Sequence, residues 1–100
     1  TSSGYRIGPG PIEDGLMGHP AVAMAAVIGV PDPERTEVVK AFIVLKDDVE
    51  PSQALVKEIQ EHIKRRVAAH EYPRLIEFVD ALPMTTTGKV IRHALRKLSQ

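Results

Sequence analysis

Between residues 52 and 69, Leu55, Ile59, Ile63 and Val67 recur at every fourth position, and Val56 widens the stripe. Lys57, Glu58, Glu61, Lys64 and Arg65 fill the opposite side. That period belongs to an amphipathic helix, which must lay its apolar stripe on another element. The run just upstream supplies one. Residues 38–46 read Val-Val-Lys-Ala-Phe-Ile-Val-Leu-Lys, rich in β-branched side chains and stopped by Asp47-Asp48, which predicts a strand. Helix on sheet is therefore the architecture to expect.

The remaining segments fit that scheme. Gly8-Pro9-Gly10-Pro11 reads as a stiff turn, and residues 12–17 as a short helix with Ile12, Leu16 and Met17 on one face and Glu13-Asp14 as helix-start acids. Residues 21–30 form a run of small and branched residues closed by Pro31-Asp32-Pro33, a strand followed by a long hairpin loop into 38–46. Glu61 and Arg65 are spaced as a favourable i,i+4 pair. Pro73 bars continuation of the long helix, residues 75–79 alternate as a third strand, and Ile91, Ala94, Leu95 and Leu98 mark a C-terminal helix. With a short N-terminal β segment the order becomes β-α-β-β-α-β-α. The expected fold is α+β: a small, mostly antiparallel three-stranded sheet with flanking helices.

Composition narrows the chemistry. One hundred residues suit a single core. The absence of cysteine excludes disulfides, thiolate metal sites and thiol nucleophiles. Thirteen basic residues balance thirteen acidic ones, so no net charge favours nucleic acid or an anionic membrane. The apolar stretch at 21–30 falls far short of the roughly 20 residues that span a bilayer. No basic and apolar leader precedes it, which places the expected domain in the cytoplasm. The histidines His19, His62, His70 and His93 show no metal-ligand spacing and read as surface or boundary residues, so no metal site is expected. Aromatic residues make up only 4%, too few to line an enclosed substrate pocket, which suggests chemistry shared with another domain.

Three polar segments stand out. Thr85-Thr86-Thr87-Gly88-Lys89 offers hydroxyls, a glycine and a cation ahead of a helix. It is no P-loop, because the glycine required five residues before Gly88 is Pro83. Ser3-Gly4-Tyr5-Arg6 pairs a glycine with an aromatic and a cation, and Lys64-Arg65-Arg66 clusters charge at the end of the long helix. Read on spacing alone, a solvated turn or helix face is the preferred reading of each.

Taken in order, Gly4-Tyr5-Arg6-Ile7-Gly8-Pro9 with Ile12-Glu13, Gly29-Val30-Pro31-Asp32-Pro33, Tyr72-Pro73-Arg74, and Pro83 with Thr85-Thr86-Thr87-Gly88-Lys89 resemble the C-terminal domain of AMP-forming acyl-CoA synthetases, within the adenylate-forming superfamily. The wording around Gly4 looks most like the medium-chain and short-chain synthetases. The resemblance implies a two-step reaction: a carboxylic (fatty) acid attacks ATP, with Mg2+, to give acyl-adenylate and pyrophosphate, and CoA then displaces AMP. It implies that Lys89 is the adenylation lysine. It implies that Ser3, Gly4 and Tyr5 face the pantetheine channel, and that Arg6, Arg35, Lys64, Tyr72, Pro73 and Arg74 contact CoA or its phosphates.

The sequence departs from the family pattern at Pro11, where Glu is usual, at Thr36, where Gly is common, and at Met84, where Lys or Arg is frequent. The resemblance further implies a partner N-terminal domain that holds most of the ATP and Mg2+ contacts. The chain is expected to begin just after the hinge and, alone, to fold without catalysing. A mitochondrial matrix location is compatible with the family in a eukaryote. Two other functions fit the same residues: a non-catalytic interaction module with this fold, and an adenylating enzyme that loads a carrier protein. Keeping both Lys89 and Gly4-Tyr5-Arg6 favours the enzyme, and the cations favour free CoA.

Overall fold

In a computed structural model of the chain, the structure describes residues 9–34, 36–67 and 72–98. The order is α1 (Pro9–Met17), β1 (Val22–Asp32), β2 (Thr36–Leu45), α2 (Gln53–Arg66), β3 (Leu75–Phe78) and α3 (Arg92–Leu98). The expected N-terminal β segment falls outside the described residues.

The strands form one sheet in the order β1-β2-β3. β1 and β2 are an antiparallel hairpin, from Val22 opposite Leu45 to Asp32 opposite Thr36. The turn is shorter than expected, because β1 continues through Pro31. That proline shares parity with Val27 and Gly29, whose backbone groups point away from β2, so its missing N–H costs no ladder bond. Asp32 Oδ2 accepts from the Glu34 N–H at 3.1 Å and tightens the turn. β3 runs parallel to β2, with Lys40 opposite Leu75 and Ile43 opposite Phe78. The sheet is thus mixed, though mostly antiparallel. A chain that leaves β2, crosses the sheet as a helix and returns beside β2 arrives parallel to it.

Each sheet face carries its own core. On one face α1 and α2 bury Ile12, Leu16, Ile59 and Ile63 against Val27, Val39, Ala41 and Ile43. On the other, Leu82 and Leu95 cover Ala26, Ile28 and Phe42, with Met84 and Val90 packed alongside. α2 follows its stripe, and Ser52 caps it by accepting from the Leu55 N–H at 3.1 Å.

Four local expectations change. α1 begins at Pro9 rather than after Pro11, since prolines in a first turn lack only N–H groups that have no intrahelical partner. Met17 is exposed because it lies about 140° around the helix from Ile12. Glu61 pairs with Lys64 at 3.6 Å instead of with Arg65. Leu98, expected to pack, is also exposed, and Leu95 alone is fully buried on α3.

Candidate functional site

Lys89 stands at the end of a small hairpin, not at a helix N-terminus; α3 starts three residues later. Met84 and Val90 form an antiparallel bridge. Inside it the Thr85 N–H donates to the Lys89 carbonyl at 2.8 Å, and the Gly88 N–H to the Thr85 carbonyl at 3.0 Å. The Lys89 N–H donates to Thr85 Oγ1 at 3.1 Å, and Thr85 and Thr87 share a 3.0 Å hydroxyl bond. Gly88 has φ +87°, a left-handed conformation that other residues adopt only at a cost. The threonine-glycine run therefore shapes the backbone under the lysine. The Lys89 side chain is exposed and makes no hydrogen bond or ion pair among the described residues.

A second group lies on the opposite sheet face, where the end of α2 meets the entry to β3. Tyr72 is its hub. The Lys64 ammonium sits 4.9 Å from the Tyr72 ring centroid and the Arg74 guanidinium 4.6 Å from it, both within cation–π range. Arg74 Nη1 also donates to the Tyr72 hydroxyl at 2.7 Å. Gln60 holds the segment in place by donating to the Pro73 and Arg74 carbonyls at 3.0 and 3.3 Å. Pro73 itself is buried and serves as a packing element. Two cations against one ring repel each other; Glu61, 3.6 Å from Lys64, offsets this on one side, and a further anion placed between the cations offsets the rest. The arrangement suits a phosphate.

Lys64, Tyr72 and Arg74 are thus brought together, while Lys89 is kept apart from them across the sheet. Ser3, Gly4, Tyr5, Arg6 and Arg35 lie outside the described residues.

Two polar clusters escape a reading of the sequence. Glu13, expected to be a helix-start acid, instead reaches from α1 to the free edge of β1. Its Oε2 accepts from the Val27 N–H at 2.9 Å and from Arg92 Nη2 at 2.6 Å. His19, expected at a boundary, is buried. The Ala21 N–H donates to its Nδ1 at 3.1 Å, which leaves Nε2 to carry the proton toward Glu58 Oε2 at 2.6 Å. His62 meets the His19 ring edge-on, 5.1 Å between centroids, and donates to the Gly15 carbonyl at 3.0 Å. Burial lowers the His62 pKa from its ordinary 6.5; His19, Arg66 and Arg65 act in the same direction, and the Gly15 bond opposes them. An open cleft of about 480 Å3 beside these histidines, between α1 and α2, contains none of the expected site residues. No cluster of three or more His, Asp or Glu among the described residues is placed to hold a metal ion. No helix among them is long and apolar enough to cross a membrane.

Comparison with known proteins fits this geometry. The chain is 54% identical over 98 residues to the mitochondrial acyl-coenzyme A synthetase ACSM3 of Mus musculus, a match covering 96% of this chain and 17% of that protein. It is 52% identical over 96 residues to 4-hydroxybutyrate–CoA ligase 1 of Metallosphaera sedula, again 96% of this chain and 17% of the relative. The chain therefore spans about a sixth of the length of these relatives. Among solved structures, the acyl-CoA synthetase of Brucella canis superposes with a TM-score of 0.91 at 54% identity, over 98% of this chain and 18% of that one. The family described as the AMP-binding enzyme C-terminal domain matches residues 11–89, so a fold carrying an unpaired lysine on one sheet face and a stacked cationic pair on the other belongs to the AMP-binding enzyme C-terminal domain family.

Proposed function

We propose that this chain is the C-terminal domain of an AMP-forming acyl-CoA synthetase, and that its two sheet faces serve the two half-reactions. The exposed, unpartnered Lys89 on a hydrogen-bonded hairpin is the observation that carries the proposal. In the first half-reaction a carboxylate attacks the α-phosphate of ATP and negative charge accumulates on the phosphoryl oxygens. A positioned ammonium stabilises that charge, and its stabilisation is largest when the donor needs no rearrangement. Fixed hairpin backbone beneath a free side chain meets that requirement.

In the second half-reaction the CoA thiol displaces AMP. Lys64 and Arg74, gathered on Tyr72, offer two adjacent cations to the nucleotide phosphates of CoA. Ser3, Gly4, Tyr5, Arg6 and Arg35 are assigned to the same CoA path by their match to the family motifs. By its resemblance to the family, and because the chain spans about a sixth of the relatives it matches, the reading assigns most of the ATP contacts, the acid pocket and the Mg2+ ligands to a preceding N-terminal domain. The cytoplasm, or the mitochondrial matrix in a eukaryote, is the proposed compartment; the mouse relative is mitochondrial by name.

The test is Lys89→Ala in the full-length protein. Acyl-adenylate formation, read by pyrophosphate release, should fall roughly a hundred- to a thousand-fold, about 2.7–4 kcal/mol. Thioester formation from supplied acyl-adenylate should survive. An equal loss in both steps would contradict a role confined to adenylation.

A further inference from the structure

We infer that Glu13 and Arg92 form a positioning pair that anchors the Lys89 hairpin to the free edge of β1. This rests on the adenylation role proposed for Lys89. Among the described residues β1 has no strand on its outer side, so the backbone groups of Val27 facing outward need partners. Glu13 Oε2 accepts from the Val27 N–H at 2.9 Å, and Arg92 Nε donates to the Val27 carbonyl at 3.4 Å. Arg92 Nη2 closes the ring on Glu13 Oε2 at 2.6 Å. The two side chains together take the place of a neighbouring strand residue. The carboxylate is only 14% exposed, so its pairing is poorly screened by solvent.

The position of this ring along the chain gives it a role beyond edge protection. Arg92 is the first residue of α3 and follows Lys89 by three positions. Between them Val90 bridges Met84, and the Ile91 N–H donates to the Pro83 carbonyl at 2.9 Å. The hairpin is therefore stiff within itself, and Lys89 makes no side-chain bond of its own among the described residues. What aims the lysine is the docking of the whole hairpin: Met84 and Val90 against the second core, and Arg92 on Val27 and Glu13. Apolar contacts set the distance to the sheet. The charged, bidentate contact fixes the register along β1, because it binds the N–H and carbonyl of one particular residue. Arg96, one turn on, repeats the contact by donating to the Gly29 carbonyl at 3.0 Å.

Neither Glu13 nor Arg92 touches the reacting atoms, so the pair acts through Lys89. In the full-length protein, Arg92→Ala should slow acyl-adenylate formation by at least about tenfold while leaving thioester formation from supplied acyl-adenylate within about twofold. Glu13→Gln keeps an oxygen for Val27 and Arg92 and should recover most of the rate, whereas Glu13→Ala should match Arg92→Ala. A pair that only stabilised the fold would lower the thermal midpoint and slow both half-reactions together, and that result overturns the inference. Should Arg92→Ala fail to fold, Arg92→Lys is judged by the same split, since lysine can keep the charge near Glu13 but cannot also hold the Val27 carbonyl. Lys89→Ala measured alongside separates the two proposals. If it spares adenylation, the lysine's role falls and the pair's with it. If it abolishes adenylation while the Arg92 variants slow neither step selectively, only the positioning role falls.

Discussion

The two candidate sites, one on each face of the sheet, hold their cations in opposite ways. On the α2 face Lys64 and Arg74 are committed to the Tyr72 ring, and Gln60 braces the backbone between them. On the α3 face Lys89 is bare, and the hydrogen bonding lies in the hairpin backbone and threonine hydroxyls beneath it. A preformed cationic pair favours steady capture of an anion that arrives and leaves intact. A free ammonium on a fixed base favours charge that appears only during a reaction. The same small sheet offers both because its two sides are packed independently, with Ile63 in one core and Leu95 in the other.

That independence can be broken by mutation. Ile63 and Leu95 are both fully buried, and truncating either to Ala should cost about 2–5 kcal/mol. Denaturant unfolding of the isolated chain measures the loss. In the full-length protein at permissive temperature the consequences should diverge, with Leu95→Ala impairing adenylate formation and Ile63→Ala impairing CoA use. Identical kinetic profiles would show that the faces are mechanically one.

A smaller effect tests the seam between α1 and α2. A Cβ built on Gly15 falls 2.5 Å from Val67 Cγ2 and 3.0 Å from Ile63 Cδ1, so the helices approach as closely as they do because that residue has no side chain. Gly15→Ala should cost about 1–3 kcal/mol through overpacking, against the modest gain expected of alanine in an exposed helix. A thermal midpoint at or above that of the parent would show that the seam gives way freely.

Smaller still is the contribution of the Tyr72 hydroxyl. Tyr72→Phe keeps the ring under both cations and removes only the 2.7 Å bond from Arg74. The KM for CoA should rise a few-fold, roughly the 0.5–1.5 kcal/mol of one hydrogen bond, with pyrophosphate release unchanged. Tyr72→Ala, which disperses the pair, should raise it further.

The gentlest probe is pH. The folded chain holds His62 below its ordinary value, chiefly by burial. The groups facing it are His19 from the end of α1 and Glu58, Arg65 and Arg66 on α2. As pH falls, the unfolded chain takes up that proton first, so the stability due to the neutral ring is complete above the ordinary value of 6.5 and is lost as pH drops through the lower folded value. Thermal midpoints of the isolated chain should decline over that window, and His62→Gln should flatten the decline. An unchanged slope in the variant would assign it to other groups.

The elements that a sequence reveals best are those whose period is long enough to count. Leu55, Ile59 and Ile63 span more than two helical turns, and β2 carries branched residues along nearly its whole length, so both were legible. β3 has only four residues, and nothing in Leu75, Ile76, Glu77 and Phe78 states which neighbour it joins or in which direction; its parallel pairing follows from the helix that precedes it. Glu13 and His19 are not legible in the sequence because each acts through a residue distant in the chain, Arg92 and Glu58. One faint signal was present: Glu13 lies beside the apolar Ile12–Leu16 stripe, and Arg92 and Arg96 share a face of α3. The role proposed for Lys89 rests on resemblance to a family, since an exposed lysine after three threonines has no period and no neighbour to mark it. Its separation from Lys64 and Arg74 is a property of the sheet and became visible only when the chain was folded.

The division of labour between the faces is tested most directly by a crossed comparison in the full-length protein. Lys89→Ala and the double variant Lys64→Ala/Arg74→Ala are each assayed for pyrophosphate release from ATP and acid, and for CoA consumption with supplied acyl-adenylate. The expected pattern is reciprocal: Lys89→Ala loses the first reaction and keeps the second, while the double variant keeps the first and shows a raised KM for CoA in the second. Loss of the same half-reaction by both variants, or of both half-reactions by either one, would contradict a sheet whose two sides serve separate steps.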